Sequence, residues 1–175
     1  MLLYCSKYAS MGTDIKKEKF DTKKSIKRAR ALRNKKSLWA IRIRDKEYTW
    51  SNKIERVTLI RDRLPYEAIE LLSARTELSI KEVLSIFDLP QTTYNKKKRE
   101  NGLLSGRDSE VVLLLTELLD FGIEVFNNEK EKFNRWLKKP NYSLGGIKPE
   151  TLFDTVTGIQ EVKNALNRLE YGNMA

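Results

Sequence analysis

Residues 79 to 102 have the sequence SIKEVLSIFDLPQTTYNKKKRENG, which predicts two short helices with a tight break between them. Ser79 and Glu82 have the spacing of a capping box, in which each side chain bonds the other residue's backbone N–H. The first helix therefore begins at this box. Asp88 can adopt a left-handed conformation, and Pro90 prevents simple continuation of the helix.

The second helix runs from Gln91 to Glu100 and is closed by Asn101-Gly102. A short helix, a tight turn and a second helix with a polar, basic face form a helix-turn-helix, whose second helix enters the major groove of DNA. Tyr94 is predicted to face inward.

The predicted outer surface of the second helix suits mixed contacts with bases and phosphates, because Gln and Asn can pair with adenine edges, and Arg and Lys with guanine or phosphate. The residues predicted for this surface are Gln91, Thr92, Asn95, Lys96 and Arg99, with Lys97 and Lys98 expected on phosphates. The alternative is a solvated helix end, where cations are favoured by the helix dipole.

The charge of the chain is unevenly distributed. Residues 1 to 60 carry 17 basic and 6 acidic side chains, whereas residues 61 to 140 carry 14 of each and residues 141 to 175 carry 3 and 4. A basic arm favours a polyanion because phosphate neutralisation releases counterions. A solvated, disordered tail is the alternative, with a transient helix expected through Lys23 to Arg33.

The region between the arm and the two helices is predicted to contain a short β-hairpin or an extended segment near residues 38 to 50, because Ile41 and Ile43 alternate with Arg42 and Arg44. After Asn52, the apolar residues have the spacing of a helix. Another helix is expected after Pro65, with the proline in its first turn.

The most apolar helix is predicted from Asp108 to Asn127 and is expected to form the core, with Glu117, Asp120 and Glu124 as its solvent-facing stripe. A further helix is predicted from Glu129 to Lys139, with Phe133 and Trp136 in the core. Leu144-Gly145-Gly146 is expected to be a turn with positive φ. A second capping box, Thr157 to Gln160, is expected to open a final helix that ends at Gly172.

The composition excludes several function classes. The chain has no His and a single Cys, Cys5, so a His-assisted catalytic triad, a zinc finger and an intrachain disulfide are all excluded. We expect the protein not to be an enzyme and to bind neither a metal nor a cofactor. The longest stretch without a charged residue is eight residues, Pro140 to Ile147, far short of the about 20 that span a membrane. We therefore expect a soluble, cytoplasmic protein without a signal peptide, whether translation begins at Met1 or Met11.

From Arg61 to Gly172 the sequence resembles the Xre/MbcA/ParS-type antitoxins of bacterial toxin–antitoxin operons. The first residues that carry the resemblance are Leu64-Pro65, Leu78 to Glu82, Leu89 to Tyr94 and Asp108-Ser109-Glu110. The more specific set is Glu124-Val125-Phe126, Trp136-Leu137, Pro140-Asn141, Leu144-Gly145-Gly146, Pro149 and Arg168 to Gly172. Asp88 and Pro90 depart from the pattern, in which Gly and a Ser cap are common.

The resemblance implies a mainly α protein with a helix-turn-helix DNA-binding domain, followed by a small helical toxin-binding domain. It implies a homodimer that represses its own operon and inhibits a toxin, typically of the RES type, which attacks NAD. The toxin-neutralising role falls on Arg168, Glu170, Tyr171, Gly172 and Asn173 at the end of the chain.

The expected domains are a basic extension at 1–53, the helix-turn-helix domain with its core helix at 54–127, and the toxin-binding domain at 128–175. The extension lies outside the resemblance, and its arm could reach an adjacent groove, order on toxin binding or serve dimerisation. The alternative function is a stand-alone helix-turn-helix regulator without a toxin partner.

Overall fold

The computed structural model describes residues 38–172 and is mainly helical, as predicted. The predicted basic arm, its helix through Lys23 to Arg33, and Asn173 lie outside these residues. The described part contains a β-hairpin followed by seven α-helices and two 3₁₀ turns. The elements are β1 (Trp39–Ile43), β2 (Lys46–Trp50), α1 (Lys53–Asp62), α2 (Ala68–Thr76), α3 (Ile80–Ile86), α4 (Gln91–Arg99), α5 (Gly106–Val125), α6 (Lys130–Leu137), the 3₁₀ turns Tyr142–Leu144 and Pro149–Leu152, and α7 (Val156–Tyr171).

The predicted hairpin is confirmed. Its strands are antiparallel, with Ile43 opposite Lys46, so the turn consists of Arg44 and Asp45. Side chains alternate between the two faces of a strand, and here one face is buried. The buried residues are Ile41, Ile43, Tyr48 and Trp50. The hairpin thus packs its apolar face on the helices, and Trp50 stacks on Trp39 with ring centroids 6.1 Å apart.

The start of α2 differs from the prediction. Pro65 lies outside the helix, in an isolated bridge with Leu103, and α2 begins at Ala68. The backbone at Pro65 is held by a neighbouring segment, because the Leu104 N–H donates to Leu64 O at 2.8 Å. A contact between residues so far apart in sequence overrides the local preference of proline for a first helical turn.

Helix α5 is the centre of the core, as predicted, and packs against α1, α2 and α7. It begins at Gly106, two residues earlier than expected, because the Ser105 hydroxyl caps it by accepting the Asp108 N–H. Its largest fully buried side chains are Leu113, Leu115, Leu118 and Leu119.

The predicted solvent stripe on α5 is wrong for Glu117. This residue is only 4% exposed, and its carboxylate accepts hydrogen bonds from Trp50 Nε1 at 2.9 Å and Arg56 Nη1 at 2.6 Å. Asp120 is partly buried beside Arg75, and Glu124 is exposed. The hairpin and α1 cover the part of the stripe that helical spacing assigned to solvent.

The C-terminal part consists of α6, the two 3₁₀ turns and α7. Phe133 of α6 is buried and Trp136 packs against the core, as predicted. Gly145 and Gly146 have φ of 67° and 80°, which confirms the turn expected there. The capping box predicted at Thr157 is wrong, because Thr155 caps α7 instead by accepting the Gly158 N–H at 3.0 Å.

Candidate functional site

The helix-turn-helix is formed by α3 and α4, and its local geometry follows from residues 79 to 90. Ser79 is the N-cap of α3 in the predicted capping box: its backbone N–H donates to Glu82 Oε2 at 2.7 Å, and its hydroxyl accepts the Glu82 N–H at 3.3 Å. The Ser79 hydroxyl also donates to Glu82 Oε2 at 2.7 Å, and this bond, together with that from the Ser79 backbone N–H, holds the pKa of Glu82 below its ordinary value. Asp88 takes the predicted left-handed conformation with φ of 49°, and Pro90 is the N-cap of α4. The two departures from the family pattern are therefore compatible with a normal helix start at Gln91.

Tyr94 anchors α4 to the core and is buried, as predicted. Its hydroxyl donates to Glu70 Oε1 at 3.1 Å, and its ring lies against Tyr66 with centroids 6.3 Å apart. Burial, reinforced by the Glu70 hydrogen bond, raises the pKa of Tyr94 far above its ordinary value. The phenol therefore stays protonated and acts as a fixed donor that positions the helix.

The outer face of α4 is polar and exposed. All five residues predicted for this face are exposed, namely Gln91, Thr92, Asn95, Lys96 and Arg99. Gln91 Nε2 lies 3.4 Å from Asn95 Oδ1, and Arg99 Nε donates to the Asn95 carbonyl at 3.2 Å, so three of these residues form one hydrogen-bonded row. Amides and a guanidinium along one helix face can pair with base edges in a major groove.

The other two lysines of α4 are engaged within the protein. Lys98 is 36% exposed and forms an ion pair with Glu70, and this hydrogen bond is the main reason that the pKa of Glu70 is lowered. Lys97 Nζ lies 3.6 Å from Glu100 Oε2. The predicted phosphate contacts of both lysines stay a prediction. Within the protein, each of the two lysines is paired with a carboxylate.

The end of α7 is the second candidate site. The helix is held by its buried side, formed by Ile159, Val162, Ala165 and Leu166, and it ends at Gly172, whose φ of 65° confirms the predicted stop. Tyr171 is 48% exposed and Gly172 is exposed. Glu170 is partly buried.

Arg168 does not project from the helix end. It is partly buried, and its Nη2 donates to the Ser143 carbonyl at 3.3 Å. It therefore ties α7 to the turn around Gly145, which brings that turn beside the predicted toxin-contacting residues.

Several exposed apolar side chains near this end were not predicted. Tyr142 is fully exposed, and Ile147, at the other side of the glycine turn, is 46% exposed. Leu169 of α7 is 45% exposed. The signal was present in the sequence, because Tyr142 and Ile147 lie in its longest uncharged stretch.

Comparison with known proteins assigns both regions. Residues 122–172 match the model of the antitoxin Xre/MbcA/ParS C-terminal toxin-binding domain, and residues 55–117 match that of the antitoxin Xre-like helix-turn-helix domain. The chain belongs to the Xre/MbcA/ParS antitoxins. It is an antitoxin with a DNA-binding helix-turn-helix and a toxin-binding domain, and the hairpin lies outside both matched regions.

Two similar proteins are named Antitoxin Xre. The one from Photorhabdus laumondii is 24% identical over 114 residues, which cover 65% of this chain and 77% of the relative. The one from Yersinia enterocolitica is 28% identical over 91 residues, covering 52% and 62%. A protein from a Sphingobium species named "Prs ADP-ribosylating antitoxin" is 28% identical over 133 residues, covering 71% and 84%.

Among residues 38–172, no helix combines the length and the apolar character that crossing a bilayer requires.

Proposed function

We propose that this antitoxin represses its own operon through α4 and neutralises a RES-type toxin, which attacks NAD, through the end of α7. The proposal rests on one observation. In each matched region, one helix has an exposed surface that does not pack against the rest of the protein. On α4 this surface is polar and hydrogen-bonded, and on α7 it is a helix end with an exposed tyrosine. In both roles the protein acts by binding, without catalysis of its own.

In the proposed operator complex, α4 lies in the major groove. Gln91 and Asn95 pair with base edges, whereas Lys96 and Arg99 pair with guanine or with phosphates. Tyr94 and its bond to Glu70 fix the helix before DNA arrives. Helix-turn-helix repressors bind two half-sites as dimers, so we propose a homodimer on a two-fold symmetric operator.

In the proposed toxin complex, Tyr171 and Gly172 enter a nucleotide-sized cleft. A helix that ends in glycine narrows at its tip, because Gly172 carries no side chain. The bond from Arg168 to Ser143 sets Tyr142 beside the same end, so that this tyrosine widens the toxin-contacting surface.

The operator half of the proposal is tested by binding of the full chain to the DNA upstream of its own gene. Lys96→Ala and Arg99→Ala are expected to weaken operator binding and to flatten its salt dependence, because each removes a cation from the DNA face. Arg135→Ala, an exposed arginine on α6, is the matched control and should leave both quantities unchanged. Unchanged affinity and slope in Lys96→Ala and Arg99→Ala would remove this face from DNA binding.

The toxin half is tested by co-purification with the product of the neighbouring gene. A variant that ends after Arg168 keeps the four buried residues of α7, so it should remain folded. We expect the full chain to hold the neighbouring protein and the truncated chain to lose it. A neighbour that binds neither version would leave the stand-alone regulator as the better account.

A further inference from the structure

An open groove lies between the hairpin turn and the C-terminal half of α4. Its volume is about 570 Å³, and its lining residues are Arg44, Glu67, Asn95, Lys98, Arg99 and Asn101. Three of them are cations and one is a carboxylate. Asn95 and Arg99 also belong to the outer face of α4, so the groove continues the proposed DNA-binding surface toward the hairpin.

Arg44 occupies an unusual backbone position at the edge of this groove. It is the first residue of the two-residue turn and has a φ of 54°. Glycine is the usual residue at positive φ in such tight hairpin turns, because it has no side chain to clash. Residues held in sparsely populated conformations are concentrated at functional sites, so this arginine is a candidate for a role other than folding.

Glu67 holds the side chain of Arg44 in place. Glu67 is 8% exposed, and its Oε1 accepts a hydrogen bond from Arg44 Nη2. The Arg44 side chain nevertheless remains 58% exposed, and a guanidinium has five N–H donors, so most of its donors stay available. An oriented, partly exposed guanidinium is well suited to bidentate binding of a phosphate.

We propose that Arg44 is a second DNA contact, which binds a backbone phosphate beyond the C-terminal end of α4, with Glu67 as its positioning residue. This inference rests on the proposed function, in which α4 lies on operator DNA. Duplex DNA is the partner that fits, because the groove is continuous with Asn95 and Arg99 of that face. The hairpin lies outside the matched helix-turn-helix region, so the contact is one that this chain adds to it.

The test measures the affinity of the full-length protein for its operator fragment, and for an unrelated fragment of equal length, over a salt series. The variants are Arg44→Gln, the double variant Arg44→Gly with Glu67→Gln, and the control Arg135→Gln. The double variant places glycine at the positive φ and removes the unpaired carboxylate charge, so it keeps the hairpin folded. Thermal unfolding of each variant verifies this.

Both Arg44 variants are expected to lower the salt slope by about one for both fragments, because one phosphate contact is lost. Their affinity deficit should therefore shrink about threefold between about 50 and 200 mM salt. Hydroxyl-radical footprints should lose protection of the deoxyriboses next to the phosphate that flanks the α4 contacts. Arg135→Gln should behave like the wild type.

The inference and the proposed function fail in different ways. An unchanged slope and footprint in both Arg44 variants, with normal operator binding by the wild type, would overturn the hairpin contact and leave the repressor function intact. Equal binding of both fragments by the wild type would contradict operator recognition, yet a reduced slope in the Arg44 variants would still support the contact. A wild type that binds neither fragment would overturn both.

Discussion

The carboxylate of Glu117 joins four elements at one buried point. Its Oε1 accepts hydrogen bonds from Trp50 of β2 and Arg56 of α1, and Lys163 Nζ of α7 lies 3.8 Å from its Oε2. A buried charge is tolerated only where it is paired and hydrogen-bonded, and this one has three partners.

We expect Glu117→Ala to destabilise the protein by about 3 kcal/mol, because it leaves the Arg56 charge and the Trp50 N–H without an acceptor. The measurement is urea unfolding followed by circular dichroism. Glu124→Ala, at an exposed position of the same helix, is the control and should change stability by less than about 0.5 kcal/mol. Equal small effects would show that the buried network contributes little.

The role of Glu117 was not predictable from local spacing. Glu117, Asp120 and Glu124 recur every three or four residues, which is typical of a solvent face. What buries Glu117 is a hairpin whose Trp50 lies 67 residues earlier in the chain. The spacing of residues within one helix carries no information about which distant part of the sequence packs against it.

The capping box predicts a pH-dependent contribution to stability. Because the folded-state pKa of Glu82 is lowered by Ser79, the carboxylate stabilises α3 fully above its ordinary pKa, and this contribution disappears as the pH falls through the lower folded value. We therefore expect Glu82→Gln to be less stable than the wild type at neutral pH and to converge with it in acid. Thermal unfolding of both proteins from pH 7 to 3 measures the difference, and a constant gap would contradict it.

At the scale of elements, the junction of α5 and α6 depends on one glycine. A Cβ at Gly122 would lie 2.2 Å from Phe133 Cζ, a distance that real side chains do not reach. Gly122→Ala should therefore cost about 1–3 kcal/mol by overpacking. Gly106→Ala, whose Cβ would meet its nearest neighbour at 3.9 Å, is the control and should be neutral or stabilising. Comparison of the two melting temperatures tests this, and similar values would contradict the tight junction.

Most elements could be predicted because their signals are local. The capping box at Ser79, the break at Asp88 and the stop at Gly172 all appear where the sequence placed them. The start of α7 was misplaced because Gly158, rather than Glu or Gln, stands three residues after its true cap, Thr155. The Leu152 carbonyl explains this glycine, since a Cβ there would lie 2.1 Å from it.

The candidate site also has parts that local sequence patterns predict and parts that they do not. The outer face of α4 follows from helical periodicity alone, so its exposed residues were predictable. The groove at Arg44 was not, because it requires the hairpin turn to meet Glu67 and the end of α4. The bond from Arg168 to Ser143 likewise joins residues 25 positions apart.

At the scale of the whole molecule, the DNA-binding and toxin-binding regions share one core. Helix α5 extends through the end of the first matched region and the start of the second, and α7 packs along it. Two regions built on one helix should unfold together. We expect Trp136→Phe, whose two remaining tryptophans both lie in the hairpin, to give the same urea midpoint by fluorescence and by circular dichroism, which reports on the helices. Separate midpoints would show that the regions fold independently.

The proposed role of the end of α7 is to neutralise a toxin encoded beside this gene. The most direct measurement is the growth of cells that express the neighbouring gene alone, with the full chain, and with the chain ending after Arg168. We predict that the neighbour alone stops growth, that the full chain restores it, and that the truncated chain, produced at the same level, does not. A harmless neighbour, or equal rescue by both versions, would contradict the claim.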